Sequence, residues 1–117
     1  DVNTYVADNG VMDIGKYIDF HVADTTTSAS CRLECEANLL KISGHFLPET
    51  GNQWDLGSAS NRWANIYMHD LHLSNEGTQN EIDGTWGNYT IQEGENDLYL
   101  LNRRNGKAYK FNLTEIN

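Results

Sequence analysis

The sequence predicts an all-β chain: short antiparallel meanders with one helical turn among them. Three observations lead there. Several stretches alternate apolar and polar residues with period two, as half-buried strands do. An Asn-Gly pair, Asn105-Gly106, stands between two such runs, the strongest short-range hairpin signal. Turn-forming Gly, Asn and Thr punctuate the chain, and no long helical or heptad pattern interrupts them. The pattern divides into an N-terminal meander over 1–47, a Trp-rich turn-and-strand connector over 48–75, and a C-terminal meander over 76–117.

The first strand is expected in "KYIDFHV", Lys16 to Val22, with Ile18, Phe20 and Val22 facing away from Tyr17, Asp19 and His21. "ADTTTSAS" follows as a loop. "CRLEC" then sets Cys31, Leu33 and Cys35 on one side and Arg32 and Glu34 on the other. "NLLKISG" gives a third short strand, ended by Gly44. Pro48, the only proline, belongs to a connection.

The middle holds "GNQWDLGSASNRWANIYMHDLHL", Gly51 to Leu73. Gly57 permits a sharp turn, and the hydroxyl of Ser58 or Ser60 can cap a helical turn by accepting an orphan N–H. Trp63, Ile66 and Tyr67 then fall at i, i+3 and i+4, one face of that turn. From Ile66 the period becomes two. Tyr67, His69, Leu71 and Leu73 face one way; Ile66, Met68, Asp70 and His72 face the other.

"YTIQEGEN" reads as a strand and turn. In "DLYLLNRRNGKAYKFNL" a two-residue Asn105-Gly106 loop would pair Arg104 with Lys107, Leu100 with Phe111 and Leu98 with Leu113. The apolar residues then share one face. The Arg104–Lys107 pair is a like-charge cost, tolerable at an exposed tip.

The 117-residue length fits one domain or a piece of a longer protein. The opening at Asp1 rather than Met is taken as a fragment or a processed chain. Val, Ile, Leu and Phe number 25, about 21% of the residues, close to the level at which disorder becomes the default. Aromatics at 10% argue against disorder. A short chain so poor in aliphatics is marginal alone, so oligomerisation is favoured. Seventeen acids against eight bases give a net charge of −9. That disfavours nucleic acid and anionic membrane as partners, and no apolar run has the length for membrane insertion. Cys31 and Cys35, four apart on one strand face, would have Cα atoms roughly 13 Å apart. A disulfide needs less than about 7 Å, so two free thiols and assembly in a reducing cytoplasm are expected.

Three segments resemble tail-fibre proteins of tailed bacteriophages, especially those of marine and cyanobacterial phages. "WDLGSASNRWANIYMHDLHL" is similar to a recurrent fibre element of the form D-L-G-S-x-x-x-R-W-x-x-[IV]-Y followed by a strand. "YIDFHVADTTTSASCRL" resembles a Y-I-D-F-H…R-[IL] segment upstream of it, with Ser30-Cys31 where related fibres often carry an acidic-aromatic pair. "DGTWGNYTIQEGENDLYLLNRRNGKAYKFNLTEI" looks like the ending of many marine phage fibre proteins. The resemblance implies a parallel homotrimer of intertwined β-structure. It also implies a virion location, assembly in the host cytoplasm, other tail proteins as partners, and a host-surface glycan or protein as receptor. In such a trimer Trp54 and Trp63 would supply the apolar area that the strands lack. Trp63 is expected to be buried, and Arg62 to hold a carboxylate such as Asp55. A Trp-rich corner inside a monomer is the plainer alternative.

No cofactor or catalytic group is expected. His69 and His72 face opposite ways on a strand. His21 or His72 could form a metal site only as three copies on a threefold axis, and a solvated or hydrogen-bonded histidine is the simpler reading. Glu34, Glu36, Glu93, Glu95 and Asp97 lie in turns or at exposed strand positions, without the desolvation a glycosidase pair needs. The candidate receptor contacts are the aromatics Trp86, Tyr89 and Tyr99, which could stack on sugars. Trp86 could equally be a plug against a neighbouring chain. The functional reading is thus a non-enzymatic fibre segment, distal and contributing to attachment. The alternatives are a virion fibre of head, collar or baseplate without receptor contact, and a polysaccharide depolymerase.

Overall fold

A computed structural model describes residues 7–12, 14–21 and 30–117. Residues 22–29, the end of the expected first strand and nearly all of the loop after it, lie outside the described residues. The chain is all-β, with two antiparallel sheets and no helix among the described residues. It forms two compact units, Asp1–Leu56 and Gly57–Asn117, each described by itself.

The first unit carries the strands β1 (Tyr17–Phe20), β2 (Cys31–Glu36) and β3 (Leu39–Ser43), in the order β1-β2-β3. Ala37 and Asn38 turn the chain between β2 and β3, with Asn38 left-handed at φ 60°. Asn is among the few residues that accept this region readily. The register places Phe20 opposite Cys31, Ile18 opposite Leu33, Leu33 opposite Ile42, and Cys35 opposite Leu40. These residues therefore form one continuous apolar face, and both thiols on it are free.

The reverse face is a lattice of charges. Arg32 grips Asp19, directly across the ladder, through Nε at 2.5 Å and Nη2 at 2.8 Å. Its guanidinium lies 4.2 Å from the Tyr17 ring centre. Lys16 reaches Glu34 at 3.2 Å and Glu36 at 3.6 Å, and Lys41 reaches Glu36 at 3.2 Å. The Arg32 hydrogen bond holds the Asp19 carboxyl below the usual carboxylate range, and the bond to Glu34 pushes the Lys16 ammonium up.

The second unit carries β4 (Leu71–Ser74), β5 (Asn88–Glu93), β6 (Leu98–Asn102) and β7 (Ala108–Lys110), again a plain meander. β4, the end of the Trp-rich connector, is an edge strand of this sheet. Leu71, Ile91, Leu100 and Tyr109 are neighbours across its four strands, with Leu73 and Leu98 on the same face. The opposite face carries His72, Thr90, Gln92 and Tyr99.

One expectation gives way here. The C-terminal hairpin pairs Leu100 with Tyr109 rather than Phe111. Its loop is Arg103–Gly106, four residues, not the pair Asn105-Gly106 alone. Asn102 sets this register. Its backbone donates to the Lys107 carbonyl at 2.8 Å. Its side-chain oxygen accepts the N–H groups of Arg104 at 3.0 Å and Asn105 at 3.3 Å. Gly106, at φ 74°, returns its N–H to the Asn102 carbonyl. The shift of two residues keeps every side chain on its face, and it removes the direct opposition of Arg104 and Lys107.

After Gly57, where a helical turn is expected, residues 57–70 carry bends and irregular backbone. Ser58 Oγ accepts the Asn61 N–H at 3.0 Å, and the Ser58 N–H donates to the Asn61 carbonyl, closing a small loop.

Candidate functional site

The residues Asn75–Gly87 form a thirteen-residue bridge between β4 and β5, held by its own side chains. The Asn75 side chain accepts the Gly87 N–H at 2.7 Å. Asn80 Oδ1 accepts the N–H groups of Ile82 and Asp83 at 2.8 and 2.9 Å. Asp83 accepts the Thr85 hydroxyl at 2.7 Å and the Asn80 amide at 2.8 Å. These bonds stabilise its charged form and hold its carboxyl below the usual range, Thr85 contributing most.

The rigid bridge presents Trp86. The Arg104 guanidinium, from the β6–β7 loop, lies 3.7 Å from the indole centre, a close cation–π stack. Arg104 Nη1 also donates to the Trp86 carbonyl at 2.9 Å. Tyr89 is the second residue of β5, beside it. Its ring lies against the backbone of Gly87, where an added Cβ would come within 2.8 Å, and its hydroxyl accepts the Asn102 amide at 3.3 Å. Trp86 and Tyr89 share the walls of two open clefts. One, about 480 Å³, runs towards Asn75, Asn80 and Asp83. The other, about 400 Å³, runs towards Asn102, Arg104 and Asn105.

The proposed aromatic trio does not converge. Trp86 and Tyr89 come together, but Tyr99 pairs with Gln92 and Lys110 and so stands on the opposite face, its ring against Gly94. Arg104 is the functional candidate that sequence reading missed. The only hint was the Arg103-Arg104 pair at a hairpin tip, because its contact with Trp86 spans eighteen positions.

The other singled-out residues fall as follows. Asn105 and Gly106 lie in the hairpin loop, where Asn105 Oδ1 accepts the Lys107 N–H. Gly57 is left-handed at φ 84°, and its Cα side faces the Trp63 indole, 3.4 Å from where a Cβ would sit. The Gly and the Trp of the D-L-G-S-x-x-x-R-W element are thus close neighbours. Trp63 is not buried within one chain: it is 64% exposed, and Trp54 and Tyr67 are exposed too. Ile66 and Tyr67 lie on irregular backbone. Arg62 donates to the Ala59 carbonyl, three residues back. Asp55 lies in the first unit.

His21 follows β1 and is exposed. His72 Nδ1 lies 3.0 Å from the Thr90 hydroxyl, which accepts Arg103 Nε at 3.1 Å from the other side. Thr90 is the one fully buried side chain among the described residues. Beside it the Gln92 amide donates to Asp70 at 3.1 Å. Within one chain, the described residues gather no cluster of three metal-ligating side chains.

Compared with protein-family models, curated proteins and solved structures, the chain matches none of them.

Proposed function

We propose that the chain is a non-enzymatic segment of a phage tail fibre, a parallel homotrimer at the distal end of the fibre that contributes to host attachment. One observation carries the assembled form. Among the described residues no apolar side chain is buried. Each sheet is a single layer, and a one-sided apolar sheet needs a covering layer. Phe20 is 51% and Leu40 68% exposed. Three copies around an axis would bring the apolar faces and the Trp54 and Trp63 rings together. The net charge of −9 suits a particle surface, where it opposes aggregation.

The fibre assignment rests on the three sequence segments that resemble phage fibres. The Trp86–Tyr89 clefts are the part of the chain suited to a receptor, with other tail proteins holding the fibre to the virion. Antibody raised against the chain tests the location. Electron micrographs of intact virions should show label at the tips of the tail fibres. Label on head, collar or baseplate fibres would contradict a role in attachment.

A further inference from the structure

We propose that the cleft between Trp86 and the β6–β7 loop is a subsite for an acidic sugar residue, such as a uronic acid, with Arg104 reading its carboxylate. This rests on the attachment reading and names its ligand class.

The charge distribution points there. The chain is strongly acidic, yet the β6–β7 loop and its flank read Arg103-Arg104-Asn105-Gly106-Lys107. In the first unit every described lysine and arginine is ion-paired to a carboxylate: Lys16, Arg32 and Lys41. In the second unit none of the five, Arg62, Arg103, Arg104, Lys107 and Lys110, has a carboxylate partner among the described residues, and three of them cluster at this loop. Arg103 is spent on the Thr90 hydroxyl, and Lys107 belongs to the strand side of the loop. Arg104 is exposed, fixed by Trp86 below it, and spends Nη1 on the Trp86 carbonyl. Its remaining N–H groups keep the fork that matches a carboxylate.

The neighbouring groups suit a sugar rather than a bare anion. Tyr89 and the indole edge give apolar wall for the C–H face of a pyranose. Asn102, Asn105 and Thr85 line the same cleft; the side-chain NH2 of Asn105, whose Oδ1 alone is engaged, remains to donate to a ring hydroxyl. About 400 Å³ is within the range of small-ligand sites. The cleft is also preformed: the stapled 75–87 bridge fixes Trp86, and the Asn102 turn fixes Arg104. Little ordering is left for the ligand to impose. The other cleft at Trp86 is lined by Asp83, which disfavours an anion there. The two clefts are thus electrostatically distinct.

The test titrates the full chain with trigalacturonate, neutral maltotriose and inorganic phosphate, by calorimetry and by the Trp86 indole NMR signal. Trigalacturonate should bind saturably, at least tenfold tighter than maltotriose, and should shift the Trp86 signal. Arg104→Gln should weaken it at least tenfold. Lys110→Gln, which removes the same charge three residues beyond Lys107, should leave it unchanged. Equal binding of the neutral sugar, or indifference to Arg104→Gln, overturns the proposal. Phosphate competing as strongly as the uronate would reduce the site to a simple anion site, which also overturns it. Should Arg104→Gln fail to fold, the Trp86 signal of the unaltered chain decides alone: no shift with trigalacturonate sinks the idea. Whole-cell binding, run in parallel, separates the two layers. A chain that binds host cells but no uronate keeps the attachment role and loses this ligand. A chain that binds uronate but no cells does the reverse.

Discussion

The two sheets solve the same problem in different currencies. Each is a thin antiparallel meander with one apolar and one polar face. The first sheet covers its polar face with charges: Arg32 on Asp19, Lys16 and Lys41 on Glu34 and Glu36. The second uses neutral or singly charged hydrogen bonds around a buried hydroxyl, with His72 and Arg103 on Thr90 and Gln92 on Asp70. Exposed ion pairs contribute little and fade with salt. A buried hydroxyl with two partners contributes more, because water cannot replace them. The charged sheet therefore stays soluble on one side at small gain. The hydrogen-bonded sheet carries the Trp86 clefts. What the sheets share is the uncovered apolar face.

The largest effect should come from that shared face. Leu33 sits between Ile18 and Ile42, and Leu100 between Ile91 and Tyr109. Leu33→Asp and Leu100→Asp should each abolish assembly, seen as loss of the trimer peak in sedimentation. An effect from only one of them would mean that only one sheet lines the axis.

Next is the buried hydroxyl. Thr90→Val keeps the shape and removes the group that His72 and Arg103 share. A loss of about 1–3 kcal/mol in thermal melts is expected. Asp19→Asn, its counterpart in the charged sheet, should cost clearly less. A larger loss from Asp19→Asn would reverse the ranking of the two faces.

Gly57→Ala comes third. It forces a left-handed φ of 84° on a side chain and sets a Cβ against the Trp63 ring. About 1–2 kcal/mol should be lost, with Trp63 fluorescence altered. An unchanged melt would mean that the Gly57–Trp63 contact holds nothing.

The smallest effect separates the two chemistries by titration. Asp19 and Asp83 are both held below their ordinary value of 3.8. Each contributes stability above the unfolded pKa that is lost as pH falls through the lower folded pKa. Salt should screen Arg32 and move Asp19 back up towards 3.8, while Asp83, held by Thr85 and Asn80, stays low. Carboxyl NMR titrations with and without 0.5 M salt, roughly three Debye-length halvings beyond dilute buffer, read the difference. Equal salt response of the two would erase it.

Period-two alternation made the strands legible, since it depends only on neighbours in sequence. The expected strands at 16–22, 31–35 and 38–44 lie within a residue or two of β1, β2 and β3 wherever the residues are described. The hairpin was legible but its register was not. A slip of two leaves the alternation unchanged, so only the Asn102 side chain distinguishes the two pairings. Trp63, Ile66 and Tyr67 have a helical spacing, i, i+3 and i+4, which irregular backbone can carry as well. At the site, Trp86 and Tyr89 stood out as adjacent aromatics. Tyr99 stands on the opposite face, which depends on the β5–β6 register and so is not legible in the sequence. Arg104 reaches Trp86 only through the fold.

Light scattering of the isolated chain at micromolar concentration tests the central claim most directly, that these one-sided sheets are halves of an assembled structure. A particle of three chains, each of 13.2 kDa, that loses its fold when dissociated is the predicted result. A well-folded monomer of 13.2 kDa with a cooperative melt would contradict it.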